Sequence, residues 1–315
     1  MFQLTLQRCA DETIYRKPVI IGSARHIEIM QEQMQEVAAT PGEIILEPCV
    51  RNTAPAITLA ALAAENPADL LLVMPSDQMI RNITAFQKAV LASVPGAQSR
   101  WLVTFGIEPT EPATGYGYIR QGEPIVGSTK SWSAEKFVEK PNQENAEKML
   151  ADGGYHWNAG IFLFLADSFL AAMEKYAPKI LTACRTAMDS KRTDNGLCYP
   201  DPEAFASAPS DSIDYAIMER AETVAVTPTS PGWSDVGSWD ALLDLCHKDE
   251  QSNVIFGKAV TIDLGKNLIH SEDLEISVLG VENLIIVTHG NRVMILPRGQ
   301  SQNVKKIVQR LEGED

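Results

Sequence analysis

The sequence predicts an α/β fold: a Rossmann-like domain with a mainly parallel sheet over residues 1–250, then a small β-rich domain with a terminal helix over 254–315. Three observations carry this. Short apolar runs alternate with segments of helical periodicity, the pattern of strands and crossover helices. The runs LLLVM (70–74) and IFLFL (161–165) lack polar alternation, which suits strands covered on both faces. A polar break at 249–253 (DEQSN) then separates a region of short strand-like runs and turn residues.

Strands are expected at 17–21 (KPVII), 43–46 (EIIL), 70–74, 102–106 (LVTFG) and 160–165 (GIFLFL). Helices lie between them. Ile27, Met30, Met34 and Val37 recur at helical steps. So do Ile57, Ala60, Ala61 and Ala64, behind Asn52 or Thr53 as cap and Pro55 near the first turn. Another helix is expected from Asn142 to the Gly153-Gly154 stop. The polar stretch 189–211 reads as a long surface loop. In the small domain, strands are expected at 258–263, 274–279, 283–287 and 292–296, with no pairing assigned. A last helix follows, capped by Ser301, with Val304, Ile307, Val308 and Leu311 on one face.

Composition narrows the classes. The 315 residues make about two domains at roughly 150 each. Hydrophobic content of 45% and charged content of 22% exclude disordered and collagen-like chains. No stretch approaches the roughly 18 apolar residues of a membrane span, so no membrane partner is expected. MFQLTLQRCADE at the start has no basic n-region followed by an apolar h-region, so no signal peptide is expected. Lys plus Arg total 27 against 41 Asp plus Glu, a formal charge of −14. That argues against a nucleic-acid binder. A nucleotide substrate remains open, because a bound divalent metal supplies positive charge. The five cysteines are irregularly spaced without CxxC, as expected of reduced thiols in a cytoplasmic protein. The five histidines form no zinc-like cluster.

In open α/β sheets, ligands bind beyond the carboxyl ends of the strands. That rule selects Asp77 after strand 70–74, Arg51-Asn52-Thr53 after strand 43–46, Gly115 and Gly117 in TGYGYI, and then FVEKP, WNAGIFLF and GWSDVGSW. Each has an ordinary explanation when taken singly. Asp77 is as readily a turn residue, the glycines a turn, and Glu139-Lys140 a surface ion pair. Trp157, Trp233 and Trp239 suit a core, and Asp235 suits a cap for a helix near Ser238. Six such loops at strand ends point together to a binding crevice.

The combination resembles one family. EPCVRNTAPAI (47–57), VMPSDQMI (73–80), FGIEPTEPATGYGYI (105–119), FVEKP (137–141), WNAGIFLF (157–164), SIDYAIME (212–219), GWSDVGSW (232–239) and SQNVKKIVQRL (301–311) are similar to the mannose-1-phosphate guanylyltransferases, in the family's order. The resemblance implies transfer of a nucleotidyl group from GTP to mannose 1-phosphate, giving GDP-mannose and pyrophosphate, with Mg²⁺. It implies that Asp77 and Asp235 are the metal carboxylates. Asn52 and Thr53, beside Arg51, lie near the guanine. Gly115 and Tyr116 line the sugar–nucleotide site. Glu139 binds sugar hydroxyls, Lys140 pairs with the sugar phosphate, and Asn158 contacts the sugar. Asp77, Lys140 and Asp235 are the expected catalytic residues, and a homo-oligomer is expected. Another sugar-1-phosphate nucleotidyltransferase, or a silent regulatory paralogue, is the alternative.

Three departures from the family pattern stand out. Val50 replaces a glycine, and a β-branched residue is strained if that position needs φ > 0. Gln78 replaces a histidine. The family's opening strand and Gly-rich loop, with its Arg and Lys, have no counterpart here, and the start resembles the helix that follows them. The expectation is a truncated chain with an unfilled slot beside the strand that ends at Asp77 and low stability. The family also includes longer proteins with an isomerase domain; no isomerase activity is expected here.

These departures generate a test. The missing loop would meet the departing pyrophosphate, and losing one preorganised donor typically costs on the order of a hundredfold in rate. The 315-residue chain alone is therefore expected to release negligible pyrophosphate from GTP, mannose 1-phosphate and Mg²⁺. A version extended upstream with the loop restored is expected to be active. Comparable turnover by the two would show that another part of this chain binds the triphosphate.

Overall fold

A computed structural model describes residues 1–128 and 130–313. The chain forms two compact units, Met1–Trp233 and Ser234–Asp315. Among the described residues, no helix is long and apolar enough to cross a membrane.

The first unit contains a six-stranded sheet in the order Leu70–Val73, Tyr155–Leu165, Leu102–Ile107, Val224–Thr229, Trp132–Val138, Tyr118–Pro124. The α/β class is the expected one, but the sheet is mixed rather than mainly parallel. Val224–Thr229 runs parallel to Leu102–Ile107. Tyr155–Leu165 runs antiparallel to Leu70–Val73, Leu102–Ile107 and Tyr118–Pro124. An unbroken apolar run reports burial on both faces and says nothing of direction. The long strand changes partners at an irregularity between Thr104 and Gly106. Gly106 permits this: a Cβ there would lie 2.7 Å from His156 Cβ and from Val226 Cγ2.

A separate four-stranded sheet runs Val19–Ser23, Glu43–Glu47, Leu197–Tyr199, Arg192–Asp194. It overturns the expectation of a surface loop over 189–211. That stretch supplies two strands and the helix Pro202–Ala206, and Cys198 and Phe205 are fully buried. Its polar residues outnumber the apolar anchors, so composition alone conceals them. Val19–Ser23 and Leu70–Val73 each end their sheets, and the four residues of the latter are half-buried despite their apolar sequence.

Helices cover the sheets. Ile27–Glu36 and Thr53–Ala63 fall where the periodicity places them, and Gln143–Asp152 where its start and stop residues do. Asn52 and Asn142 accept the backbone N–H of Thr53 and Asn145 as side-chain caps. Ile83–Gln98 is one of the helices expected between the strands, with no residues assigned to it, while Ala166–Tyr176 and Pro178–Asp189 lie beyond the last expected strand and were not expected. One core packs Thr53–Ala63 with the last two of these around Phe162, Phe164 and Phe169, with the Phe164 and Phe169 rings stacked at 4.8 Å. The opposite core joins Phe86 to Phe105.

In the second unit, Val254–Phe256, Leu268–Ser271 and Leu284–His289 stack in parallel, and Arg292–Pro297 returns antiparallel. Ala259–Ile262 pairs in parallel with Ile276–Leu279. Two buried asparagines bind successive layers. Asn253 Oδ1 accepts from Asn267 N at 3.0 Å and from Asn267 Nδ2 at 3.2 Å. Asn267 in turn donates to Val281 O at 3.0 Å and accepts from Leu284 N at 2.8 Å. Ser301 does not cap the terminal helix Val304–Glu312, whose cap position is Asn303. Ser301 N and Oγ instead donate to Asp240 Oδ2, and its Oγ accepts from Asp240 N at 3.1 Å.

The asparagine ladder yields a prediction. Asn267→Ala leaves the half-buried Leu284 N–H without its acceptor and takes from Val281 C=O one of its two donors, the other being Gly265 N–H at 3.3 Å. Such groups cost about 1–3 kcal/mol. A lower denaturant midpoint for the second unit at unchanged slope is the expected readout.

Candidate active site

The turn after Leu70–Val73 presents Asp77, which is exposed and makes no hydrogen bond or ion pair with the described residues. Its neighbours are tied down. The Arg8 guanidinium, 2% exposed, donates to Gln78 O at 3.0 Å. The Gln78 side chain spans two elements: Nε2 donates to Ala159 O at 2.8 Å, and Oε1 accepts from Trp233 Nε1 at 2.9 Å. The amide thus satisfies one acceptor and one donor at once. The rigid turn holds an unencumbered carboxylate outward, a hard oxygen donor of the type Mg²⁺ takes.

Tyr116 packs edge-on against Trp157 and Trp233, with ring centroids 5.0 and 5.3 Å away. Trp157 is a core residue, 7% exposed. Gly115 has open space where a side chain would go, whereas a Cβ on Gly117 would lie 2.5 Å from Glu139 Oε2. Gly117 is therefore the glycine that Glu139 requires, a distinction the TGYGYI string does not reveal.

Glu139 and Lys140 follow Trp132–Val138 and pair at 2.8 Å. The Glu139 side chain is 10% exposed and that of Lys140 62% exposed. The hydrogen bond to Glu139 raises the Lys140 pKa above its ordinary value. Asn158, in the long strand, donates from Nδ2 to Asp214 Oδ1 at 2.8 Å. Its Oδ1 accepts from Gly160 N at 3.2 Å and lies 2.9 Å from Thr104 Oγ1. Asp214 was not singled out from SIDYAIME. Burial and then the Glu139 charge raise its pKa to about 6.

The segment 211–214 links this cluster to Arg51, Asn52 and Thr53. Thr53 Oγ1 accepts from Ile213 N at 2.9 Å, and Ala54 N donates to Asp211 O at 3.1 Å. Arg51 Nη2 donates to Ala206 O. Val50 is not strained, since the left-handed residue of this loop is Asn52, with φ 67°. Glu47, just before the loop, has a buried Oε1 without a partner among the described residues, and burial raises its pKa to about 7.

Asp235 belongs to the second unit. It caps no helix: Ser238 caps Trp239–Leu245, and Asp235 Oδ1 accepts from Gly237 N at 3.1 Å. Gly237 leaves room for it, as a Cβ there would meet Asp235 Oδ2 at 2.7 Å. Trp239 packs against the apolar cluster of that unit. Among the described residues, no group of three or more His, Cys, Asp or Glu side chains could hold a metal.

The nucleotidyl transferase family profile matches residues 1–252, and the mannoseP isomerase/GMP-like β-helix domain profile matches 257–311. The chain is 43% identical to the mannose-1-phosphate guanylyltransferase RfbM of Salmonella typhimurium, over 100% of this chain and 66% of that protein. The chain belongs to the mannose-1-phosphate guanylyltransferase family of nucleotidyl transferases. It is also 41% identical to the xanthan biosynthesis protein XanB of Xanthomonas campestris (99% of this chain, 66% of the relative). Identity to the Escherichia coli K12 mannose-1-phosphate guanylyltransferase is 40% (94% and 63%). The chain thus spans less than two thirds of these relatives' length. Among solved structures, a Thermus thermophilus protein described as a mannose-1-phosphate geranyltransferase matches with TM-score 0.83 at 28% identity, covering 99% of this chain and 89% of that one. A Helicobacter pylori mannose-6-phosphate isomerase matches with TM-score 0.67 at 29% identity, covering 74% and 89%.

The glycine geometry can be tested directly in this guanylyltransferase-family chain. Gly117→Ala drives a methyl against the Glu139 carboxylate and should dislodge its ion pair with Lys140. The expected result is a folded protein, by circular dichroism, in which the Lys140 pKa, raised by its hydrogen bond to Glu139, falls back toward its ordinary value in an NMR titration.

Proposed function

We propose that this chain carries the binding sites for GTP and mannose 1-phosphate of a guanylyltransferase, whose reaction joins the two into GDP-mannose and releases pyrophosphate. The observation that carries the reading is the cluster of Glu139, Lys140, Asn158 and Asp214 beside the side-chain-free Gly117. It combines a cation for a phosphate with hydrogen-bonding groups for hydroxyls, in a chain whose relatives bear the name mannose-1-phosphate guanylyltransferase.

The reaction needs little covalent chemistry from the protein. An oxygen of the sugar phosphate attacks the α-phosphorus of the nucleotide, and pyrophosphate leaves in line. Two anions must be held together, so positioning and charge neutralisation supply the catalysis. Lys140, exposed and fully cationic beside Glu139, meets the sugar phosphate. Glu139 accepts from sugar hydroxyls, and Asn158 contacts the same sugar. Gly115 and Tyr116 line the passage between sugar and nucleotide, with Tyr116 held by two tryptophans. Arg51, Asn52 and Thr53 face the base. Asp77 and Asp235 are each assigned as carboxylates for Mg²⁺, whose chemistry when bound is to shield phosphate charge and orient the phosphates. A cytoplasmic setting belongs to the same reading, supported by five free thiols.

Calorimetric titration of wild type and Lys140→Ala with each ligand separately tests the assignment. The substitution is expected to weaken mannose 1-phosphate about tenfold or more, as for a lost charge-assisted contact, and GTP far less. Equal losses for both ligands would remove Lys140 from the sugar phosphate.

A further inference from the structure

We propose that Asp214 is a positioning residue of the sugar site: it fixes the Asn158 amide as a hydrogen-bond donor beside the acceptor Glu139, so that neighbouring sugar hydroxyls are read in opposite senses. This rests on the functional reading above.

The orientation follows from the partners of one side chain. An amide oxygen has two lone pairs and its nitrogen two hydrogens. At Asn158, Oδ1 receives Gly160 N–H at 3.2 Å, with Thr104 Oγ1 at 2.9 Å. The Thr104 hydroxyl also lies 3.1 Å from Ile161 O, so its proton is shared between these two acceptors. On the other side, Nδ2 donates to Asp214 Oδ1 at 2.8 Å. Rotating the amide by half a turn would face its NH₂ against the Gly160 N–H and its oxygen against the Asp214 carboxylate. Both contacts would be repulsive, so a single orientation survives. It leaves Asn158 with one uncommitted N–H and no uncommitted acceptor. Glu139, by contrast, is a carboxylate that accepts. A polyol presenting one hydroxyl oxygen to Asn158 and one hydroxyl proton to Glu139 satisfies both.

Glu139 and Lys140 face Asp214, while Glu219 faces Glu139 and Tyr215 faces Lys140. Burial together with the Glu139 charge places the Asp214 titration at about 6. Above that pH, the bond to Asn158 is charge-assisted and strong. Below it, Asp214 takes up a proton and the bond weakens to a neutral one.

The experiment combines ligand binding with a ligand-independent signal. In protein labelled with ¹⁵N at asparagine, the Asn158 side-chain amide should show one exchange-protected proton whose shift titrates near pH 6; Asn158→Asp assigns the signal. Asp214→Asn keeps an acceptor oxygen but cannot ionise, so the titration should vanish. Asp214→Ala should weaken mannose 1-phosphate about tenfold at pH 7.5, the size of a lost hydrogen bond to a charged group, and GTP less than twofold. Asp214→Asn should recover most of that affinity. If wild type binds mannose 1-phosphate and Asp214→Ala binds it equally well, the proposal is overturned. Should Asp214→Ala fail to fold, the Asp214→Asn spectrum decides: a persisting titration overturns the proposal and its loss supports it. Should wild type bind no mannose 1-phosphate, the functional reading fails. The unligated spectrum then judges the orientation alone: a protected, titrating amide supports it, and an unprotected, pH-independent one overturns it.

Discussion

One strand, Tyr155–Leu165, is shared among three neighbours, and the arrangement of the first unit depends on where it changes allegiance. Its C-terminal half lies beside Leu70–Val73, and its N-terminal half beside Tyr118–Pro124. Backbone groups in a sheet must be paired, so this division dictates where the loops at either end emerge. Asn158 and Ala159 sit at the changeover. Asn158 N–H donates to Gly117 O at 2.8 Å, bringing the glycine turn to the strand. Ala159 O receives the Gln78 amide, bringing the Asp77 turn to the same place. A single backbone segment thereby sets the spacing of two loops far apart in sequence.

A second constraint comes from the short segment 211–214, which ties the Thr53 helix start to Asn158 through Ile213 and Asp214. Its half-buried carboxylate sits close to Glu139 without a full counter-charge, and both would be costly to bury alone. Lys140 offsets part of that cost while staying largely exposed. A neutral amide, two carboxylates and one lysine form a set in which changing any member alters the electrostatics of the others.

Much of this was legible in the sequence. The five expected strands and the first three expected helices are present because apolar periodicity and side-chain caps are local signals; the strand-end rule pointed to Asp77, whereas Glu139, Lys140 and Asn158 were named from the family resemblance. Less local features were not legible. The register of Tyr155–Leu165 shifts beside Gly106, where the close neighbour Val226 is 120 residues away in the chain. The strand containing Cys198 was hidden among polar residues, although its burial is complete. Ser301 looked like a cap by composition, but the competing carboxylate of Asp240 claims it. Asp214 lies inside the SIDYAIME string, but neither its half-burial nor its contact with Asn158 across 56 residues is written locally.

Gln78 has a consequence for behaviour across the pH scale. The side chain that locks the Asp77 turn must accept from Trp233 and donate to Ala159 at the same time. A neutral imidazole can do both in one tautomer but loses its acceptor on protonation, and it titrates within the physiological range. A carboxamide carries no such liability. In this chain the clamp behind Asp77 is therefore indifferent to mild acidification, and acid sensitivity falls instead on the half-buried carboxylates Glu47 and Asp214.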